Sequence, residues 1–145
     1  MHAPFRNRLA AGILLADGIL LVILAFVHLL ATPLIHKWLS HELTAETLLS
    51  VSPAFLLDHV VVGVLLIPFG VSTLYSAAGV RLGHSWARSI AATNAFAVMI
   101  LPLLVLVFLG RRGFDSALFL WAGVLISIIG MTMLIPLIWL GKRDE

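Results

Sequence analysis

The sequence contains no cysteine and few charged residues. Without a thiol among its 145 residues, the chain can form no disulfide, iron–sulfur or thiolate zinc site. Charged residues make up 11% of the chain, against about 25% in soluble domains. Apolar residues reach 61%, against about 45–50% in soluble domains. The composition therefore predicts an integral membrane protein.

The sequence also lacks the patterns that mark nucleic-acid binding and common hydrolytic sites. The net charge is only +2, and the basic residues stand in ones and twos rather than in a patch, so no nucleic-acid partner is predicted. No HExxH pattern or paired Ser and His motif is present. We therefore do not predict an enzyme.

Four long apolar segments are present, at residues 9–35, 54–80, 89–110 and 117–140. About 20 apolar residues cross the roughly 30 Å hydrocarbon core of a bilayer. A membrane-spanning segment must satisfy its own backbone hydrogen bonds, so these spans should be helices. The prediction is an all-α, integral membrane four-helix bundle, with residues 1–145 forming a single transmembrane domain.

The orientation of the spans is predicted by the lysines and arginines, which concentrate on the cytoplasmic side of membrane proteins. Six of these residues share the side of the N-terminus: Arg6, Arg8, Arg81, Arg88, Lys142 and Arg143. Three lie on the other side: Lys37, Arg111 and Arg112. The imbalance predicts both termini in the cytoplasm (N-in/C-in) and a cell-membrane location of the bacterial inner-membrane type.

The connection between the first two spans, residues 36–53, mixes leucines with charged residues. Thr44 is suited to cap a helix, and Glu46 would then lie favourably in its first turn. We predict a short amphipathic helix in this first extracytoplasmic loop, ending where Pro53 marks the entry to the second span. A plain loop with scattered leucines is the alternative.

Small residues four positions apart lie on one face of a helix and allow helices to approach closely. Gly12 and Ala16 have this spacing in the first span. They are therefore predicted to face a neighbouring helix.

Ionisable residues inside a span are costly and mark candidate sites. His28 in the first span and Asp58 and His59 in the second lie at similar depths towards the outer side. Two imidazoles on facing helices are candidate ligands for haem or a metal ion, with a carboxylate orienting one ring. Proton or quinone chemistry and a purely structural polar contact are the alternatives.

A second polar group lies towards the inner side. It comprises Asp17, Asn94, Ser72 and Tyr75, which are predicted either to bind three helices together or to surround a proton-coupling carboxylate, Asp17. In length, helix number and this one acid the chain resembles small four-helix drug exporters. The aromatic and glycine patterns of that class are not evident, so no function is carried over.

Three function classes follow from these patterns. The leading prediction is a non-catalytic accessory protein or subunit of a larger membrane complex, because little of the chain lies outside the spans. The second is a redox-associated subunit that binds haem, metal or quinone through the outer histidines. The third is a small proton-coupled transporter that uses Asp17 and works as a homo-oligomer. The lipid bilayer is a partner in all three.

Overall fold

The computed structural model of the protein describes residues 3–109 and 117–141, and within these ranges it is helical with no strand. The helices are α1 (Ala3–Glu42), α2 (Ala45–Leu82), α3 (Ser85–Leu109) and α4 (Ala117–Gly141). For the part of the chain that the structure describes, the all-α prediction of four helices is therefore confirmed.

Three of the helices are long and apolar enough to cross a membrane. The stretches that meet this condition are Phe5–Glu42 in α1, Ala45–Leu82 in α2 and Ser85–Leu104 in α3. In α4 the described apolar stretch, Gly123–Ile138, is shorter than the roughly 20 residues of a typical crossing. Helix α4 itself coincides with the fourth predicted span, residues 117–140.

The predicted loop helix between the first two spans is not a separate element. Helix α1 continues to Glu42 and α2 begins at Ala45, so the connection is only Leu43 and Thr44. Most residues between 36 and 53 are compatible with a helix, and a proline costs a helix a hydrogen bond without always ending it. Pro53, which was predicted to mark the entry to the second span, lies inside α2.

The capping role predicted for Thr44 is present in the structure. Its side-chain oxygen accepts a hydrogen bond from the backbone N–H of Thr47 at 3.4 Å, and Glu46 lies in the first turn of α2. Because an N-cap oxygen satisfies a backbone donor that has no partner within the helix, Thr44 starts α2 immediately after α1 ends.

The turn between α2 and α3 consists of Gly83 and His84. The backbone N–H of His84 donates to the carbonyl of Gly79 (2.9 Å), and that of Gly83 donates to the carbonyl of Val80 (3.1 Å). These two bonds form a Schellman motif, in which the first residue after the helix end, here Gly83, adopts a left-handed backbone conformation. Gly83 has a φ of 82°, so glycine suits this position.

The chain divides into two compact units, to each of which α1 and α2 contribute. Unit 1 comprises Met1–Gly18 and Ser72–Glu145, and unit 2 comprises Ile19–Val71. Unit 1 thus contains the beginning of α1, the end of α2, and helices α3 and α4. Unit 2 is a helical hairpin formed by the rest of α1 and α2.

Close helix contacts in unit 1 occur at several buried glycines, among them Gly18 and Gly130. A side-chain carbon at Gly18 would meet Leu74 at 2.8 Å, and one at Gly130 would meet Met99 at 2.5 Å. These contacts join α1 to α2 and α3 to α4. Gly12 and Ala16, predicted to face a neighbouring helix, are instead exposed, and a side-chain carbon at Gly12 would meet nothing within 4 Å.

Candidate functional site

Unit 2 brings two of the three predicted outer residues together. The imidazole rings of His28 and His59 stack with their centres 4.0 Å apart and their planes at 21°. The hairpin allows this approach because Gly63, one turn from His59, lies against His28 and Leu29 with no side chain between them. The histidines thus form an interhelical contact between the α1 and α2 parts of this unit.

The histidine pair has an intrahelical hydrogen bond beside it and a buried ring nitrogen without a partner among the described residues. The backbone carbonyl of His28 accepts a hydrogen bond from Thr32 Oγ1 of the same helix at 3.1 Å. The Nε2 atom of His59 is buried and has no hydrogen-bond partner among the described residues. The pair therefore combines a stacked contact between the two helices with a buried ring nitrogen of His59 that has no partner among the described residues.

The stacked arrangement does not suit a haem iron or a shared metal ion. An imidazole binds a metal through a ring nitrogen, whereas these two rings turn their faces towards each other. Asp58, the predicted carboxylate partner, is exposed. No group of three or more metal-binding side chains occurs in the described part of the chain. The haem and metal hypothesis therefore gains no support.

A further polar contact in unit 2 involves a histidine outside the predicted cluster. Nδ1 of His36 and Oγ of Ser52 lie 3.2 Å apart, and Ser52 is buried. The contact joins the last turns of α1 to the first turns of α2. Both residues fall within the predicted connection at residues 36–53, so the sequence pattern does not predict this pairing.

In unit 1, Asn94 links α3 to α2. Its Nδ2 donates to Ser72 Oγ (2.7 Å) and to Thr73 Oγ1 (3.0 Å). Asn94 is 5% exposed and Thr73 is fully buried. Two donors on one amide and two hydroxyl acceptors on successive residues form a fixed pairing, so the predicted contact between Asn94 and Ser72 is present.

The predicted inner carboxylate, Asp17, is also buried in unit 1, at 4% exposure. Its Oδ1 accepts a hydrogen bond from Thr132 Oγ1 on α4 at 2.9 Å. Its Oδ2 is buried and has no hydrogen-bond partner in the portion of the chain described. A buried polar atom without a partner is costly, and Asp17 Oδ2 shares this property in unit 1 with Asn7 Oδ1.

Thr132 was not identified from the sequence. A single threonine in a span can bond to the carbonyl four residues earlier in its own helix, and Thr132 Oγ1 also lies 3.0 Å from the carbonyl oxygen of Ile128. Its position in α4 gave no direct sign that it would reach Asp17, which lies 115 residues away.

Tyr75 does not take part in the contacts of the inner group. Its side chain is 62% exposed and stacks on Trp86, with ring centres 4.8 Å apart. A tyrosine with an apolar ring and an exposed polar end is typical of a membrane–water boundary. Among the predicted inner residues, the structure therefore places Tyr75 against Trp86 and brings Asn94 and Ser72 together.

The inner residues thus form two pairings in unit 1, one between Asp17 and Thr132 and one between Asn94 and its two acceptors. Comparison with models of protein families, with curated proteins and with solved structures found no match for the chain.

Proposed function

We propose that the chain is an integral protein of the cell membrane that crosses the bilayer four times with both termini in the cytoplasm. Helices α1 to α3 have the length and apolar character that this requires. The side of the N-terminus carries six of the nine predicted boundary lysines and arginines, and positive residues favour the cytoplasm.

The polar contacts of unit 1 support a common membrane depth for the four spans. We count depth at about 1.5 Å per residue from the middle of each predicted span. By this count four residues lie about 5–9 Å from the middle, all towards the membrane face that carries the N-terminus of the chain: Asp17, Thr132, Asn94 and Thr73. Two hydrogen-bonded pairs on four helices agree with one arrangement of the spans. If the span boundaries were wrong, the residues that share a hydrogen bond would not fall at similar predicted depths.

The function that we propose within this membrane is that of a non-catalytic accessory subunit of a larger membrane complex. One observation supports it most: the helices expose most of their apolar side chains. In the most apolar stretches of α1, α2 and α3, only 28%, 17% and 28% of the residues are buried. The turns after α1 and α2 have two residues each, so these helix faces are the principal surface available to a partner.

Site-specific photo-crosslinking in native membranes tests this function. A photoreactive residue at Leu30, which is 75% exposed, should form a product with one membrane protein, and the same residue at the fully buried Leu21 should not. The product should then purify with the chain at fixed stoichiometry. A product that contains only a second copy of this chain would indicate a homo-oligomer and not a subunit of a larger complex. Lipid adducts alone would refute the proposal.

A second candidate function, proton-coupled transport, is favoured by the unpartnered Oδ2 of Asp17. An intramembrane carboxylate is a typical proton-binding group in transporters. The test is uptake of the lipophilic cation tetraphenylphosphonium into proteoliposomes under a pH gradient. Wild-type uptake should be lost in Asp17→Asn and kept in Thr93→Val, whose hydroxyl donates only within α3. Equal uptake by wild type and Asp17→Asn would exclude this function.

A further inference from the structure

Unit 1 contains a groove of about 510 Å³ between α1 and α2. One stripe of α1 lines it, and its members are spaced to lie on a single helix face. The stripe consists of Arg8, Ala11, Gly12 and Leu15. It begins with a charged residue, continues with two small ones and ends with a leucine.

Helix α2 lines the groove with the same pattern in reverse chain order. Its stripe consists of Arg81, Ala78, Ala77 and Leu74. Gly18, less than one turn beyond the leucine of the α1 stripe, packs against Leu74, so both leucines lie at one end of the groove. Both arginines therefore lie at the other end.

The middle of the groove is open because its side chains are small. A side-chain carbon at Gly12 would meet nothing within 4 Å, while Ala11 and Ala77 are buried in the floor. Gly12 and Ala78 are exposed at its edges. An elongated apolar slot of this kind has the form that a hydrocarbon chain fills.

The arginine end of the groove has the opposite character. Arg8 and Arg81 are exposed, and neither has an ion-pair partner within residues 3–109 and 117–141. A guanidinium binds phosphate through two parallel hydrogen bonds, with a geometry that an ammonium group does not provide. Two guanidiniums at one mouth are complementary to a phosphate group.

We propose that this groove binds one anionic phospholipid, whose phosphate is held by Arg8 and Arg81 and whose acyl chain lies along the small residues towards Leu15 and Leu74. The inference rests on the membrane location proposed above. In that orientation the arginines face the cytoplasmic leaflet, where basic sites between helices bind anionic headgroups. The charged end and the apolar slot together select a lipid over a free anion.

Native mass spectrometry of the full chain in detergent tests the proposal, with phosphatidylglycerol as the anionic lipid and phosphatidylcholine as the zwitterionic one. The wild type should retain phosphatidylglycerol preferentially. Arg8→Gln and Arg81→Gln should each weaken its binding about fivefold, the effect of about 1 kcal/mol per basic residue near a membrane surface. Lys37→Gln, which removes an exposed charge from unit 2, should leave binding unchanged.

A second pair of variants tests the apolar slot. Gly12→Leu adds a side chain where the groove is open and replaces glycine with a better helix former, so the fold should persist while the bound lipid is lost. Ala16→Leu adds bulk at an exposed position outside the groove and should retain the lipid.

Three results would overturn the proposal: equal retention of the two lipids, an unchanged preference in both arginine variants, or full displacement of the lipid by inorganic phosphate alone. Fractionation separates this failure from that of the proposed function. A chain that stays in the membrane fraction but fails these tests lacks the lipid site only. A chain recovered in the soluble fraction refutes the membrane location itself.

Discussion

Two glycines on the same helix have opposite surroundings. A side-chain carbon at Gly18 would lie 2.8 Å from the side chain of Leu74 and 3.0 Å from its backbone nitrogen, whereas one at Gly12 would contact nothing within 4 Å. Neighbouring backbone yields less readily than a flexible side chain, and added bulk in a packed contact is destabilising. A required glycine and a replaceable one therefore lie only six positions apart in α1.

Replacing each glycine with alanine should change stability in opposite directions. Gly18→Ala should lower the free energy of unfolding by about 1–3 kcal/mol, because α1 and α2 must separate. Gly12→Ala should raise it by up to about 1 kcal/mol, because alanine favours the helix. Thermal unfolding in detergent measures both. An unchanged midpoint in Gly18→Ala would show that the two helices are not in close contact there.

The hydroxyl of Thr132 should contribute modestly to stability. Thr132→Val removes the hydrogen bond to Asp17 Oδ1, and such bonds in membranes average about 0.6 kcal/mol with a maximum near 1.7. Thr93→Val is the matched control, because its hydroxyl is exposed and donates to Ser89 in the same helix. Equal unfolding midpoints for the two variants would argue against the contact between α1 and α4.

At the scale of the element, α1 and α2 extend through residues that the sequence pattern assigns to a separate loop helix. The four described helices were predictable because long apolar runs determine them, and the cap at Thr44 was predictable because its side chain acts within one turn. The continuity of α1 and α2 through residues 36–53 was not predictable. Charged residues and Pro53 are typical of loops, whereas the structure continues both helices here and joins them through the contact of His36 with Ser52.

The turn between α2 and α3 should depend on Gly83. Its φ of 82° costs a residue with a side chain about 1–2 kcal/mol, so Gly83→Ala should lower the free energy of unfolding by about that amount. Gly83→Asn should cost less, since asparagine tolerates the left-handed region. Chemical denaturation in detergent measures both, and a larger loss in the asparagine variant would contradict the assigned turn geometry.

At the scale of the whole molecule, the sites could be predicted only in part. The pairing of His28 with His59 and of Asn94 with Ser72 could be inferred because intramembrane polar groups tend to pair at equal depth. The contact of Thr132 with Asp17 and that of Tyr75 with Trp86 were not predictable, since depth along a helix does not specify the direction in which a side chain points. The groove between Arg8 and Arg81 was missed because its two stripes lie far apart in the sequence.

The central claim is that the chain crosses the membrane four times with both ends in the cytoplasm. Because the protein has no cysteine, single-cysteine variants can be labelled with a membrane-impermeant maleimide without removing native thiols. Ser40→Cys, near the turn after α1, should be labelled in intact cells. His84→Cys, in the turn after α2, and Lys142→Cys should be labelled only after permeabilisation. Labelling of Ser40→Cys and His84→Cys from the same side of the membrane, or of Lys142→Cys from outside, would contradict the account.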